Sequence, residues 1–148
     1  MRNLLSFDIK RHDDDGAIVI TPCVDGHRLS DAVTGFERDC GMTDPAGGYD
    51  GLVPAFFQCG ALEPYFLGQS VAPYFAGKPG HISVLACECG ELGCWPLNCA
   101  VRLTGDLVTW HRFEQPHRPK RDYSSFGPFV FNLEPYRQTL QALQAQLG

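Results

Sequence analysis

The stretch that decides the fold runs from residue 82 to 113. Ile82-Ser83-Val84-Leu85-Ala86-Cys87 is followed by a glycine-punctuated loop and then by Leu97-Asn98-Cys99-Ala100-Val101-Arg102-Leu103. After the turn Gly105-Asp106 comes Leu107-Val108-Thr109-Trp110-His111-Arg112-Phe113. The first run is apolar apart from Ser83. The second returns with alternating apolar residues, the period of a strand whose successive residues face opposite sides, and the third makes another strand. Short reversals between such runs join neighbours antiparallel, so a three-strand meander is expected over about 82–113.

Toward the C-terminus, a proline-rich basic loop leads through Phe126, Phe129 and Phe131 to Asn132, a residue suited to capping a helix. Leu133, Tyr136, Leu140, Leu143 and Leu147 then recur at spacings of three and four, which predicts an amphipathic helix over about 133–147 that packs its apolar stripe on a sheet. Toward the N-terminus, Leu4 to Ile9 and Ala17 to Thr21 read as strands joined through Asp13-Asp14-Asp15-Gly16. Ser30 is placed to cap a short helix through about Asp39, with Ala32, Val33 and Phe36 on one side and Gly41 near its end. Residues 43–80 hold frequent prolines and glycines among Phe56, Phe57, Tyr65, Phe66, Tyr74 and Phe75, which predicts a packed loop region with short helical turns.

The expected architecture is a single α+β domain over residues 1–148, an antiparallel sheet backed by the terminal helix. A length of 148 residues with 44% apolar and 20% charged side chains suits one sizeable core, and 16 glycines with 11 prolines favour strands and turns over a helical bundle. The opening residues show no long apolar run and no later run approaches a membrane span, so a soluble, cytoplasmic protein is expected, without membrane contact. Seven scattered cysteines, an odd number, suit a reducing compartment better than a disulfide framework.

A net charge of −5 disfavours general nucleic-acid binding. The segment from His111 to Arg121 departs from the rest: Arg112, Arg118, Lys120 and Arg121 against Glu114 give it +3 while the remainder carries −8. These four cations are the candidate contact for an anion or a protein partner, beside the plainer reading of a solvated loop. The triple aspartate Asp13 to Asp15 lacks the spaced ligands of a calcium loop and reads as an exposed turn.

Chemistry concentrates in Cys87-Glu88-Cys89-Gly90-Glu91-Leu92-Gly93-Cys94, three thiols within eight residues. A structural zinc site needs four ligands with Zn–S near 2.3 Å; Cys87, Cys89 and Cys94 supply three, His111 is the candidate fourth, and Cys99, His81 or His117 are its alternatives. The spacing differs from the zinc knuckle: two same-face residues of a straight strand stand about 6.6 Å apart along its axis, so the side chains must lean inward. Two other readings compete. Cys89 and Cys94 could pair oxidatively across the turn, although Glu88 and Glu91 would oppose a reactive thiolate. Alternatively, the thiols are small reduced side chains in a tight turn that Gly90 and Gly93 permit. No resident cofactor is expected on that last reading, with zinc as the alternative.

Residues 85–131 resemble a group of small bacterial proteins that carry C-x-C-G-x-x-G-C, often followed by Trp-Pro, then V-x-W-x-x-F and a later Gly-Pro-Phe. In this chain they stand as Cys87 to Pro96, Val108 to Phe113, and Phe126-Gly127-Pro128-Phe129. The resemblance implies a bacterial origin and carries over no activity and no catalytic residue. With no H-E-x-x-H, G-x-S-x-G, phosphate-loop or dinucleotide pattern anywhere, the expected function is a non-catalytic binding or interaction protein built around a cysteine-rich hairpin. Zinc binding is its first alternative and thiol-dependent catalysis the second.

Overall fold

The computed structural model describes residues 2–11, 16–54, 60–69, 79–89 and 94–147. Phe56, Phe57, Cys59, Tyr74, Phe75 and the run Asp13 to Asp15 lie outside them, as do Gly90, Glu91 and Gly93 of the cysteine loop.

Strand β1 (Leu5–Arg11) pairs antiparallel with β2 (Ile18–Val24), and β2 with the two-residue β3 (His27–Arg28). Helix α1 (Leu29–Asp39) follows, then β4 (Tyr49–Asp50) and the one-turn helix α2 (Leu62–Phe66). The predicted meander is present as β5 (His81–Cys87), β6 (Leu97–Thr104) and β7 (Leu107–Glu114), each antiparallel to the next. Two flanking strands extend it into a five-stranded sheet, β4 on one side and β8 (Phe129–Asn132) on the other. Helix α3 (Leu133–Leu147) closes the described chain.

Isolated bridges join the two sheets at both edges. Ile20 pairs with Leu52 just after β4, and Asn3, just before β1, pairs with Phe131 of β8, so the pairings run round in a ring. The core fills this ring and continues under α3. The Trp110 indole is completely buried and donates to the Tyr136 hydroxyl at 2.9 Å, and that hydroxyl donates onward to the Phe66 carbonyl. Leu140 and Leu143 continue the same buried stripe, while Leu133 and Leu147 lie partly buried at its ends. Burying each such aliphatic side chain favours folding by about 1.5–3 kcal/mol. No helix among the described residues is long and apolar enough to cross a membrane.

Three details depart from the expectations. Helix α1 starts at Leu29, one residue before Ser30, and its N-cap is Arg28 without a side-chain cap; Ser30 instead accepts, through its carbonyl, the Thr34 hydroxyl. The buried face of α1 is Leu29, Val33 and Glu37, spaced by four, with Phe36 at its edge and Ala32 exposed. The aromatic run before Asn132 forms a strand rather than a loop, because Phe129 to Asn132 find ladder partners in Trp110 to Leu107.

Candidate metal centre at the cysteine hairpin

Strand β5 ends at Cys87, which pairs with Tyr49 of β4, and the chain turns at once through Glu88 and Cys89. This early turn removes the difficulty of a straight strand. The sulfurs of Cys87, Cys89 and Cys94 all lie within 4.8 Å of one another. The Cys89 backbone N–H points at the Cys87 sulfur at 3.4 Å. Cys89 and Cys94 are exposed and Cys87 half-buried, so the group opens to solvent on one side.

Burial, with the neighbouring Cys89 and Cys94 side chains, pushes the Cys87 thiol up to about 12. A thiol so held is protonated at neutral pH, which argues against Cys87 as a free nucleophile. A bound cation is the ordinary way to ionise a sulfur in such surroundings.

The hairpin is tied to the body of the protein on both limbs by Gly47 and Gly48. The Glu88 N–H donates to the Gly48 carbonyl at 3.0 Å, and the Trp95 indole N–H donates to the Gly47 carbonyl at 3.0 Å. Both glycines have positive φ, 79° and 86°, which side-chain-bearing residues rarely adopt. A Cβ on Gly47 would also stand 2.9 Å from the Thr34 hydroxyl.

Beneath these glycines lies a buried polar cluster that sequence reasoning missed. Glu37 is wholly buried; its Oε1 accepts the Gly47 N–H at 2.7 Å, and its Oε2 accepts the hydroxyls of Tyr49 at 2.8 Å and Tyr123 at 2.5 Å. Arg121 reaches the same oxygen at 3.1 Å, and Gln115 donates to the Tyr49 hydroxyl at 3.1 Å. Burial pushes both tyrosines up, with the Glu37 charge adding to it, so both stay donors. The signal that could have revealed Glu37 is its position four residues beyond Val33, where the apolar stripe of α1 calls for a hydrophobic residue.

The structure separates the other candidate ligands. His81 of β5 and His111 of β7 both stand opposite Ala100 of β6, so the two histidines flank that alanine at the far end of β5 from Cys87. Six strand rises place them roughly 20 Å from it. Neither His111, the expected fourth ligand, nor His81 joins the sulfurs. Cys99 is completely buried opposite Ile82, its thiol raised well above the ordinary value by burial, and it too stays apart from the group. His117 is the candidate histidine brought to this end of the sheet: its ring lies parallel to that of Trp95, centroids 6.3 Å apart, one residue beyond Cys94.

The four candidate cations divide likewise. Arg118, Lys120 and Arg121 line one cleft beside Trp95, whereas Arg112 sits exposed in a β-bulge with φ of 54° and is not part of that lining. The bulge arises where three steps along β7, from His111 to Glu114, match two along β6.

Comparison with protein-family models, with curated proteins and with solved structures finds no match to the chain.

Proposed function

We propose that this is a non-catalytic metal-binding protein in which Cys87, Cys89 and Cys94 hold one zinc-class cation, its fourth position left to water or to His117, and thereby lock the β5–β6 hairpin. The observation that carries this reading is the mutual approach of the three sulfurs to within 4.8 Å. Thiolates around a tetrahedral zinc ion, with bonds near 2.3 Å, stand about 3.8 Å apart, so closing onto the ion needs movements of an ångström or less. A disulfide would use two of the sulfurs and leave the inward turn of the third without a purpose. Sulfur donors select zinc or copper(I) over hard cations such as calcium or magnesium.

The rest of the site supports a structural role. The two glycine carbonyls that anchor Glu88 and Trp95 fix the limbs of the hairpin independently of any metal, so an ion would complete a preformed geometry. The reading keeps the expected binding protein without catalysis, and the reducing cytoplasm expected from the cysteine count would keep the thiols available. A protein partner docking on the metal-locked hairpin is the corresponding biological role.

Elemental analysis of protein produced with zinc in the medium tests the proposal. One equivalent per chain is expected in the parent and none in a variant with Cys87→Ser, Cys89→Ser and Cys94→Ser. Thiol titration of the parent should show these three sulfurs reacting slowly until a chelator is added. Metal-free protein whose thiols react at once would overturn the reading.

A further inference from the structure

The basic segment after β7 folds back over the cysteine hairpin. Met42, His117, Arg118, Lys120, Arg121 and Asp122 line a cleft of about 420 Å³ there. Two guanidinium groups rest on one indole: the Arg118 Cζ lies 5.0 Å, and the Arg121 Cζ 5.8 Å, from the Trp95 ring centroid. Gathering like charges on a single ring is unfavourable unless something neutralises them.

Arg121 is neutralised from below by Glu37. Arg118 is held differently. Its Nε donates to the Asp44 carbonyl at 3.3 Å and its Nη1 to the His117 carbonyl at 3.0 Å, both uncharged acceptors. Among the described residues neither Arg118 nor Lys120 has an ion-pair partner. Asp122, which also lines the cleft, is turned to the Ser124 N–H at 2.9 Å. The carbonyls and the indole therefore orient the Arg118 fork while no described residue cancels its charge, on a segment of +3 in a chain whose remainder carries −8. A planar, pre-oriented guanidinium beside a second cation matches the paired oxygens of a phosphate or carboxylate group.

We propose that this cleft is an oxyanion-binding site, taking a phosphate- or carboxylate-bearing ligand on Arg118 and Lys120, with the Trp95 ring serving to orient the Arg118 guanidinium. It uses no cysteine and stands apart from the metal reading.

The test is an NMR titration of the full chain with orthophosphate and, in a separate arm, with acetate, ionic strength being held constant with sodium chloride. The Arg118 Nε–H and Trp95 Nε1–H resonances are expected to shift and saturate, while buried Trp110 stays still. Arg118→Gln and Lys120→Gln should each weaken the response about tenfold or more. Arg102→Gln, an exposed cation on β6, should leave it unchanged. Saturation by phosphate alone assigns a phosphate ligand, and by acetate alone a carboxylate ligand. Shifts that grow with total salt without saturating, or that survive intact in both cleft variants, would overturn the proposal.

Discussion

The Glu37 carboxylate, completely buried in α1, accepts the backbone N–H of Gly47 at 2.7 Å, and Gly47 in turn accepts the indole of Trp95, which follows Cys94. A buried charge thus stands one residue removed from the Trp95 limb of the thiol hairpin. The same carboxylate is the ion-pair partner of Arg121, itself only 9% exposed. Removing one member of such a pair strands the other, which typically costs about 3–5 kcal/mol. Glu37→Ala should therefore lower the unfolding free energy by about that amount in urea denaturation. Glu37→Gln, which keeps an acceptor oxygen for the Gly47 N–H, should lose less. A loss below about 1 kcal/mol for Glu37→Ala would mean the pair contributes no more than a surface salt bridge.

The Tyr136 hydroxyl links two elements, accepting from Trp110 on β7 and donating to Phe66 at the end of α2. Tyr136→Phe leaves the shape of the core intact but strands a buried indole N–H and a carbonyl, so a destabilisation of about 1–3 kcal/mol is expected. Trp110→Ala should cost about 3–5 kcal/mol, because it adds a cavity to the lost transfer energy. Equal losses for the two variants would show that the hydrogen bonds, and not the volume, dominate this part of the core.

The meander and α3 were legible because short turn signals separate the apolar runs of the meander and because α3 repeats a spacing of three to four from Leu133 to Leu147. The features that were not legible depend on partners distant in sequence. Strand β8 is four residues long behind Pro128 and owes its strand character to β7. Glu37 is anchored by Tyr123, 86 residues away, and nothing local announces that pairing. At the site the three thiols were legible because they lie on one short loop. The place of His111 was not legible, since locating it requires the cross-strand register, which sets His111 and His81 on either side of Ala100.

Two glycines of similar sequence character should respond with opposite signs. A Cβ on Gly51 would meet the Ile20 carbonyl oxygen at 2.4 Å and the Thr21 hydroxyl at 2.4 Å, a clash with backbone that the ring of pairings around Leu52 cannot relieve without breaking. Gly51→Ala should destabilise the fold by about 1–3 kcal/mol. Gly35 lies within α1 with nothing within 4 Å of its would-be Cβ, so Gly35→Ala should stabilise by about 0.5–1 kcal/mol through the entropy of the unfolded chain and helix propensity. Thermal midpoints moving the same way in both variants would contradict this reading of the β2–β4 contact.

His111 should titrate below the ordinary histidine range. Partial burial disfavours its imidazolium, and Arg102, Arg112 and His81 add repulsion from β6, β7 and β5. In the unfolded chain the same ring takes up a proton near pH 6.5. Between that value and the lower folded one, the unfolded state binds more protons than the folded state, so stability rises with pH across this window. The contribution is complete above about pH 6.5 and is lost as pH falls through the folded value. NMR titration of the His111 ring gives the folded midpoint directly, and urea midpoints on either side of the window give the linked change in stability. His111→Gln should flatten that part of the pH profile. A folded midpoint at or above the ordinary value would mean that the surrounding arginines are screened and that the ring is freely solvated.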